Sequence, residues 1–158
     1  MHLATTIKMI IIVLIIVLLV SSLYWYNEYL SLKQKVEKGV NEAALTLSYI
    51  LADLGRYLRN LTNDTIREYG YIGVLMHRSI PLAQSLYYLT GKDAYIALRD
   101  CLVELSQYFD KVYLKESINE QLRDKIARIL NDLSLSLRSN DTYSLKENAK
   151  ELLSLIPG

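Results

Sequence analysis

An uncharged apolar segment near the N-terminus, Met9–Tyr26, places the strongest constraint on how this chain folds. Its eighteen residues, MIIIVLIIVLLVSSLYWY, lie between Lys8 and Glu28 and carry no charge. A helix of this length rises about 27 Å at about 1.5 Å per residue, close to the ~30 Å hydrocarbon core of a bilayer. The segment therefore predicts a single membrane-spanning helix.

Aromatic residues at the end of the segment favour the same interpretation. They are Tyr24, Trp25, Tyr26 and Tyr29. Tyrosine and tryptophan are enriched at membrane–water interfaces, where an apolar ring meets lipid and its polar tip meets water. We expect these four side chains to mark the interface at the C-terminal end of the span.

Two other interpretations of the segment stay open. A cleaved secretory signal would use Lys8 as its basic start and Ser21 and Ser22 as the small residues before the cleavage site. A buried helix of a soluble domain is the third interpretation, although so many consecutive Ile, Val and Leu residues leave no polar face.

The orientation of the span is predicted by two signals that disagree. Lys33, Lys35 and Lys38 follow the segment and only Lys8 precedes it, which by the positive-inside rule places the C-terminal part in the cytoplasm. Three N-x-T glycosylation sequons favour the exterior, and they begin at Asn60, Asn63 and Asn140. The same residue types also cap helices. We expect a cell-membrane protein with its C-terminal domain outside.

Residues 1–27 are predicted to form a short tail and the anchor, and residues 28–158 one helical domain. The domain after the anchor carries 17 basic and 17 acidic residues, because Lys8 is the only one of the 18 basic residues that precedes it. A domain without net charge gives no general attraction to nucleic acid. The single cysteine excludes an intrachain disulfide.

The first helix of the domain is predicted from apolar residues at alternating spacings of four and three. They are Val36, Val40, Ala43, Leu47, Ile50, Leu54, Tyr57 and Leu61, with Ala44, Leu51 and Leu58 on one flank. The sequence contains no Gly or Pro between the apolar segment and Gly39, so we expect one continuous helix that joins the segment to this pattern. The width of the stripe favours a helical bundle over a two-stranded coiled coil. Gly39 and Gly55 indicate either a close helix contact or a bend.

The second helix is predicted to begin at Asn63 or Asp64 and to be apolar on two sides, which would make it the most buried helix. Pro81 lacks a backbone N–H and clashes with the preceding turn, so we expect a kink or break, with Ser79 capping a restart. Thr90–Asp93 reads as the turn that ends the helix.

Three further helices complete the predicted four- to five-helix bundle. The third carries an apolar line that includes Ala94, Leu98 and Cys101. The fourth opens with a predicted capping box in which Ser117 and Glu120 each accept a backbone N–H. The fifth follows Asn140-Asp141-Thr142 and stops before Pro157. No segment alternates with a period of two, so the fold class is all-α.

The inventory of reactive groups predicts a protein that is not an enzyme and needs no cofactor. His77 has no second histidine or carboxylate at metal-ligand spacing. Cys101 falls on the inward line of its helix, where a thiol behaves as a small apolar group. Asp100 and Glu104 lie off the apolar lines and read as solvated. No phosphate-binding loop, zinc motif or nucleophile motif is present.

Tyrosine, with thirteen residues, suggests the most specific hypothesis about function. Tyr71, Tyr87, Tyr88 and Tyr95 are interpreted as a partner-binding surface, since tyrosine is enriched at interfaces; a closed bundle rim is the structural alternative. We expect an anchored bundle that binds lipid through its span and binds protein partners or itself. The alternative function is a sensor-type domain that holds a small apolar ligand near Gly73 and Pro81.

Overall fold

The computed structural model describes the backbone of residues 2–61, 66–115 and 119–156. These residues form five helices and no strand: α1 (His2–Asn60), α2 (Ile66–Thr90), α3 (Asp93–Lys115), α4 (Glu120–Arg138) and α5 (Thr142–Leu155). The predicted all-α class is confirmed, and α1 is continuous from the apolar segment into the domain. Asn63 and Asp64, where the second helix was predicted to begin, lie outside the described residues.

The chain divides into two compact units, Met1–Gly39 and Val40–Gly158. The first contains the apolar segment and the second contains the helical bundle with its hydrophobic core. The predicted boundary between residues 27 and 28 stays a prediction.

The bundle core is built from one apolar stripe of each helix. Its largest fully buried side chains include Leu47, Leu51, Leu54, Leu58, Ile72, Met76, Leu86, Leu98, Leu102, Leu105, Ile126 and Ile129. Burial of a Leu or Ile side chain contributes about 1.5–3 kcal/mol, so these side chains are the main source of packing free energy in the bundle.

The buried face of α1 is rotated from the predicted line toward α4. Tyr57, predicted on the inner line, is 38% exposed, whereas the flank residues Leu51 and Leu58 are fully buried. Gly55 explains the rotation, because its backbone lies so close to α4 that an added Cβ would sit 2.9 Å from the carbonyl oxygen of Ala127. Gly55 therefore marks a close helix contact.

Two hydrogen bonds fix the direction in which α1 and α4 run. Near the end of α1, the Arg123 Nη1 atom donates to the Leu61 carbonyl oxygen at 2.8 Å. Thirteen residues before Leu61, the Arg138 Nε atom donates to the Ser48 hydroxyl at 3.3 Å. Residue numbers rise along one helix as they fall along the other, so the two helices are antiparallel.

α2 continues through Pro81, so the helix does not break there, and the alternative of a kink stays a prediction. Pro81 leaves the carbonyl of His77 without its helical donor, but both residues are exposed and water can satisfy that carbonyl. Ser79 does not cap a restart. Its hydroxyl is buried and donates to the Met76 carbonyl oxygen at 2.9 Å, within the same helix.

The two predicted apolar lines of α2 both contribute side chains to the core. Met76 of the first line is buried, and so are Ile72 and Leu86 of the second line. Leu89, at the end of the second line, is 51% exposed, and Val74, which belongs to neither line, is 52% exposed. That α2 is the most buried helix stays a prediction.

The turn after α2 lies where the sequence predicted it, within Thr90–Asp93. α2 ends at Thr90, and Gly91 adopts a φ of 67°, a left-handed conformation that glycine reaches without a steric penalty from Cβ. α3 then begins at Asp93.

The start of α4 differs from the predicted capping box. Asn119 is the N-cap, and its side-chain oxygen accepts from the backbone N–H groups of Gln121 and Leu122. Ser117, the predicted cap, lies outside the described residues. Glu120 forms an ion pair with Arg123 at 3.5 Å. Asn119 is an equally good capping residue placed two positions later, which is why the helix begins after it.

The start of α5 is capped as predicted within Asn140-Asp141-Thr142. The Asp141 carboxylate accepts the backbone N–H groups of Tyr143 and Ser144, each at 3.1 Å. It also accepts the Ser144 hydroxyl, and these hydrogen bonds lower the pKa of Asp141. The carboxylate is thereby held in its charged form at the positive end of the helix dipole.

Candidate membrane anchor and interaction surface

The apolar segment of α1 exposes its side chains on every side of the helix. The exposed fractions of its described aliphatic side chains range from 49% for Ile11 to 65% for Leu18. Leaving this much apolar surface in water is unfavourable, at about 25 cal/mol for each Å². Within the described residues, α1 is the one helix long and apolar enough to cross a membrane, and a signal sequence meets the same criteria.

The predicted interface aromatics lie directly after this aliphatic surface. Tyr24, Trp25, Tyr26 and Tyr29 are between 59% and 71% exposed. The rings of Tyr24 and Trp25 meet edge to face, with their centroids 6.1 Å apart. These side chains present amphipathic rings outward, as side chains at a lipid–water boundary do.

The tyrosines predicted as one partner surface are divided between separate places. Tyr71 pairs with Tyr57 of α1, with ring centroids 4.5 Å apart, and is 40% exposed. Tyr87 and Tyr88 lie about 24 Å farther along α2, at about 1.5 Å per residue. Tyr88 is 71% exposed, whereas Tyr95 is 3% exposed and belongs to the core. Tyr87 is half-buried against the core, so only Tyr71 and Tyr88 of the four are exposed, and the four do not form one cluster.

A different exposed surface joins α1 to α4 and was missed by the sequence reasoning. We call it the Tyr49 surface, and it consists of Leu45, Tyr49, Leu135 and Arg138. The Arg138 guanidinium lies 4.9 Å from the centre of the Tyr49 ring, a cation–π geometry. Leu45, Tyr49 and Leu135 are 44%, 58% and 60% exposed.

The sequence signal for the Tyr49 surface is the four-residue spacing of Leu45 and Tyr49, which places both on one helix face away from the predicted inner line. The partner residues on α4 are some ninety positions later. Their proximity depends on how α1 and α4 pack, which no local pattern specifies.

The described glycosylation sequons lie at helix boundaries. Asn60 is the exposed last residue of α1. Asn140 is exposed and adopts a φ of 53°, and it lies in the turn between α4 and α5. Asn63 lies outside the described residues. The residues around Asn140 therefore have a structural role as turn and cap, whether or not the asparagine is modified.

The candidate reactive residues differ in exposure, since Cys101 is buried and the other three lie at the surface. Cys101 is fully buried, and burial, with a smaller contribution from Asp100, raises the pKa of its thiol to about 12. Its thiol therefore stays protonated at neutral pH. His77 is exposed on α2, and Asp100 and Glu104 are exposed on α3. No group of three or more His, Cys, Asp and Glu residues in the described chain is placed to hold a metal ion.

Gly73 and Pro81, the predicted location of an internal apolar pocket, both lie at the surface. A surface cavity of about 480 Å³ lies elsewhere, where the end of α1 meets the first half of α4. Charged side chains line it: Arg59, Arg123, Asp124, Lys125 and Arg128. This set of residues, called the basic cavity below, was not singled out by the sequence reasoning.

Comparisons of the chain with protein-family models, with curated proteins and with solved structures returned no match. The class defined by the structure is that of an all-helical protein whose first helix carries a long apolar segment.

Proposed function

We propose that this chain is a single-pass membrane protein whose bundle, Val40–Gly158, acts by binding protein partners or a second copy of itself. The exposed apolar segment of α1 is the observation that carries the proposal. A water-exposed helix with aliphatic side chains on all sides requires an apolar environment, and its length matches the hydrocarbon core. The terminal aromatics add a lipid–water boundary at one end.

An interaction role is supported by the exposed apolar and aromatic side chains of the bundle. The Tyr49 surface combines Tyr and Arg, the residue types enriched at the centres of protein interfaces. Its Arg138 side chain is held by Ser48 and by the Tyr49 ring, so less side-chain freedom is lost on binding. No catalytic activity is included in the proposal, because no described residues form an acid–base pair or nucleophile with its base.

Cross-linking in native membranes tests the interaction role. We expect the intact chain to form cross-linked adducts and a Tyr49→Lys, Leu135→Lys variant to lose most of them, because two desolvated charges oppose association. A matched control, Tyr143→Lys with Leu153→Lys, adds the same charges to exposed positions on α5 that belong to neither proposed surface, and it should retain the adducts. Recovery of the intact chain only as a monomer contradicts the interaction role.

We also propose that the bundle lies outside the cell. The exposed sequon asparagines Asn60 and Asn140 support this placement, and the buried single thiol of Cys101 is compatible with an oxidising exterior. The Lys33, Lys35 and Lys38 group opposes it under the positive-inside rule. Protease added to intact cells should digest the bundle, and full protection of the bundle until the cells are lysed would place it in the cytoplasm.

A further inference from the structure

The basic cavity concentrates positive charge in a chain that has almost none overall. Four cations and one carboxylate line it, whereas the whole chain has a formal net charge of +1. The residues come from two places in the sequence, Arg59 in the last turn of α1 and the 123–128 stretch of α4. The antiparallel packing of these helices at Gly55 and Ala127 brings them together.

Arg123 is the fixed component of the basic cavity. Its side chain is 12% exposed, and Nη1 donates to the Leu61 carbonyl oxygen at 2.8 Å. The same guanidinium lies 3.5 Å from the Glu120 carboxylate and 3.4 Å from that of Asp124. Three protein oxygens therefore hold this side chain in one orientation at the wall of the cavity.

The other three cations of the lining lie at the surface. Arg59, Arg128 and Lys125 are exposed. None of them forms an ion pair or side-chain hydrogen bond within the part of the chain that the structure describes. The Asp124 carboxylate, the one acidic group in the lining, accepts from the Arg123 Nε atom at 3.4 Å. The lining consequently has an unbalanced positive charge, and an anion bound there would relieve the mutual repulsion.

The size and lining of the cavity indicate the class of anion. Ligand sites in proteins usually measure about 300–1,000 Å³, so a cavity of about 480 Å³ accepts more than one small ion. Guanidinium groups match phosphate oxygens with paired hydrogen bonds, and several of them together favour a ligand with several negative oxygens. The charged lining disfavours an apolar ligand.

We propose that the basic cavity binds an anion carrying two or more phosphate groups, with Arg59, Lys125 and Arg128 as its ligands around the fixed Arg123 side chain. The cavity lies wholly within the bundle, so this inference does not depend on the anchoring or partner binding proposed above. The phosphates can belong to a soluble metabolite or to a lipid headgroup.

Calorimetric titration of the full chain in phosphatidylcholine nanodiscs with pyrophosphate tests the inference. We expect saturable binding at one site that weakens as salt is raised. The variant Arg59→Gln, Arg128→Gln should bind at least about tenfold more weakly, because each charge-assisted hydrogen bond contributes about that factor. Both side chains are exposed, so the variant should melt like the parent chain.

A matched control separates a built site from general charge attraction. Arg56→Gln with Lys111→Gln removes two exposed cations that do not line the cavity, and it should leave pyrophosphate affinity unchanged. Equal weakening by both variants, or no binding by the parent chain, overturns the inference. A second titration in nanodiscs containing phosphatidylinositol bisphosphate identifies the source. Loss of pyrophosphate binding there supports a headgroup ligand, and unchanged binding supports a soluble one.

Discussion

Two lysines placed in the middle of the apolar segment, Ile15→Lys with Ile16→Lys, should release the chain from membranes. A lysine at the centre of a spanning helix costs about 2.5–3.5 kcal/mol for insertion, and each replaced Ile also loses a favourable contribution of about 0.3–0.6 kcal/mol. The combined penalty of roughly 6–8 kcal/mol corresponds to a change of about four to six orders of magnitude in the insertion equilibrium. The measurement is the share of the chain that stays in the membrane pellet after extraction with alkaline carbonate.

The control for this variant adds two lysines at exposed apolar positions of the bundle, Leu89→Lys with Leu153→Lys. These residues are 51% and 42% exposed. The control changes total charge by the same amount, so it should stay in the pellet with the parent chain. Release of both variants alike would mean that net charge, and not the apolar segment, decides membrane association.

The substitution Gly55→Ala should destabilise the bundle, although alanine is the better helix former. The added Cβ would lie 2.9 Å from the Ala127 carbonyl oxygen and 3.3 Å from the Asn131 side-chain oxygen. The first neighbour is backbone, so α1 and α4 must separate, and overpacking of this kind costs about 1–3 kcal/mol. Thermal or urea unfolding followed by helical circular dichroism measures the change.

Gly73→Ala is the matched control, because Gly73 is also helical but has no atom within 4 Å of an added Cβ. Removal of a glycine there should raise the free energy of unfolding by about 0.5–1 kcal/mol, through lower backbone entropy of the unfolded chain. The two variants should therefore shift stability in opposite directions. Equal stabilisation by both would show that α1 and α4 do not pack closely at Gly55.

Local signals in the sequence predicted the helices well. The turn at Gly91 and the cap at Asp141 depend on conformations and hydrogen bonds within a few residues, so the sequence specifies them directly. The helix break predicted at Pro81 did not occur for a related reason. Pro81 and His77 are exposed, so water can satisfy the carbonyl that the proline leaves without a donor, and the sequence pattern did not show that exposure.

Features that depend on packing between distant residues were not predictable in the same way. Ser48 and Gly55 interrupt the apolar pattern of α1, yet both lie on the face that meets α4. The basic cavity was missed because Arg59 and Arg128 each read as an isolated solvated charge. Tyr95 was placed on the surface because tyrosine has a polar tip, but it is buried, and burial raises the pKa of its hydroxyl.

The proposed function requires that the apolar segment of α1 is retained as a membrane anchor. The sharpest test of this retention is carbonate extraction of membranes that contain the native chain, followed by peptide mass spectrometry. We expect the chain in the pellet at its full length, and peptides from residues 1–27 should be detected together with peptides from the bundle. A carbonate-soluble chain that begins near Ser22 would contradict the anchor and identify the segment as a cleaved signal.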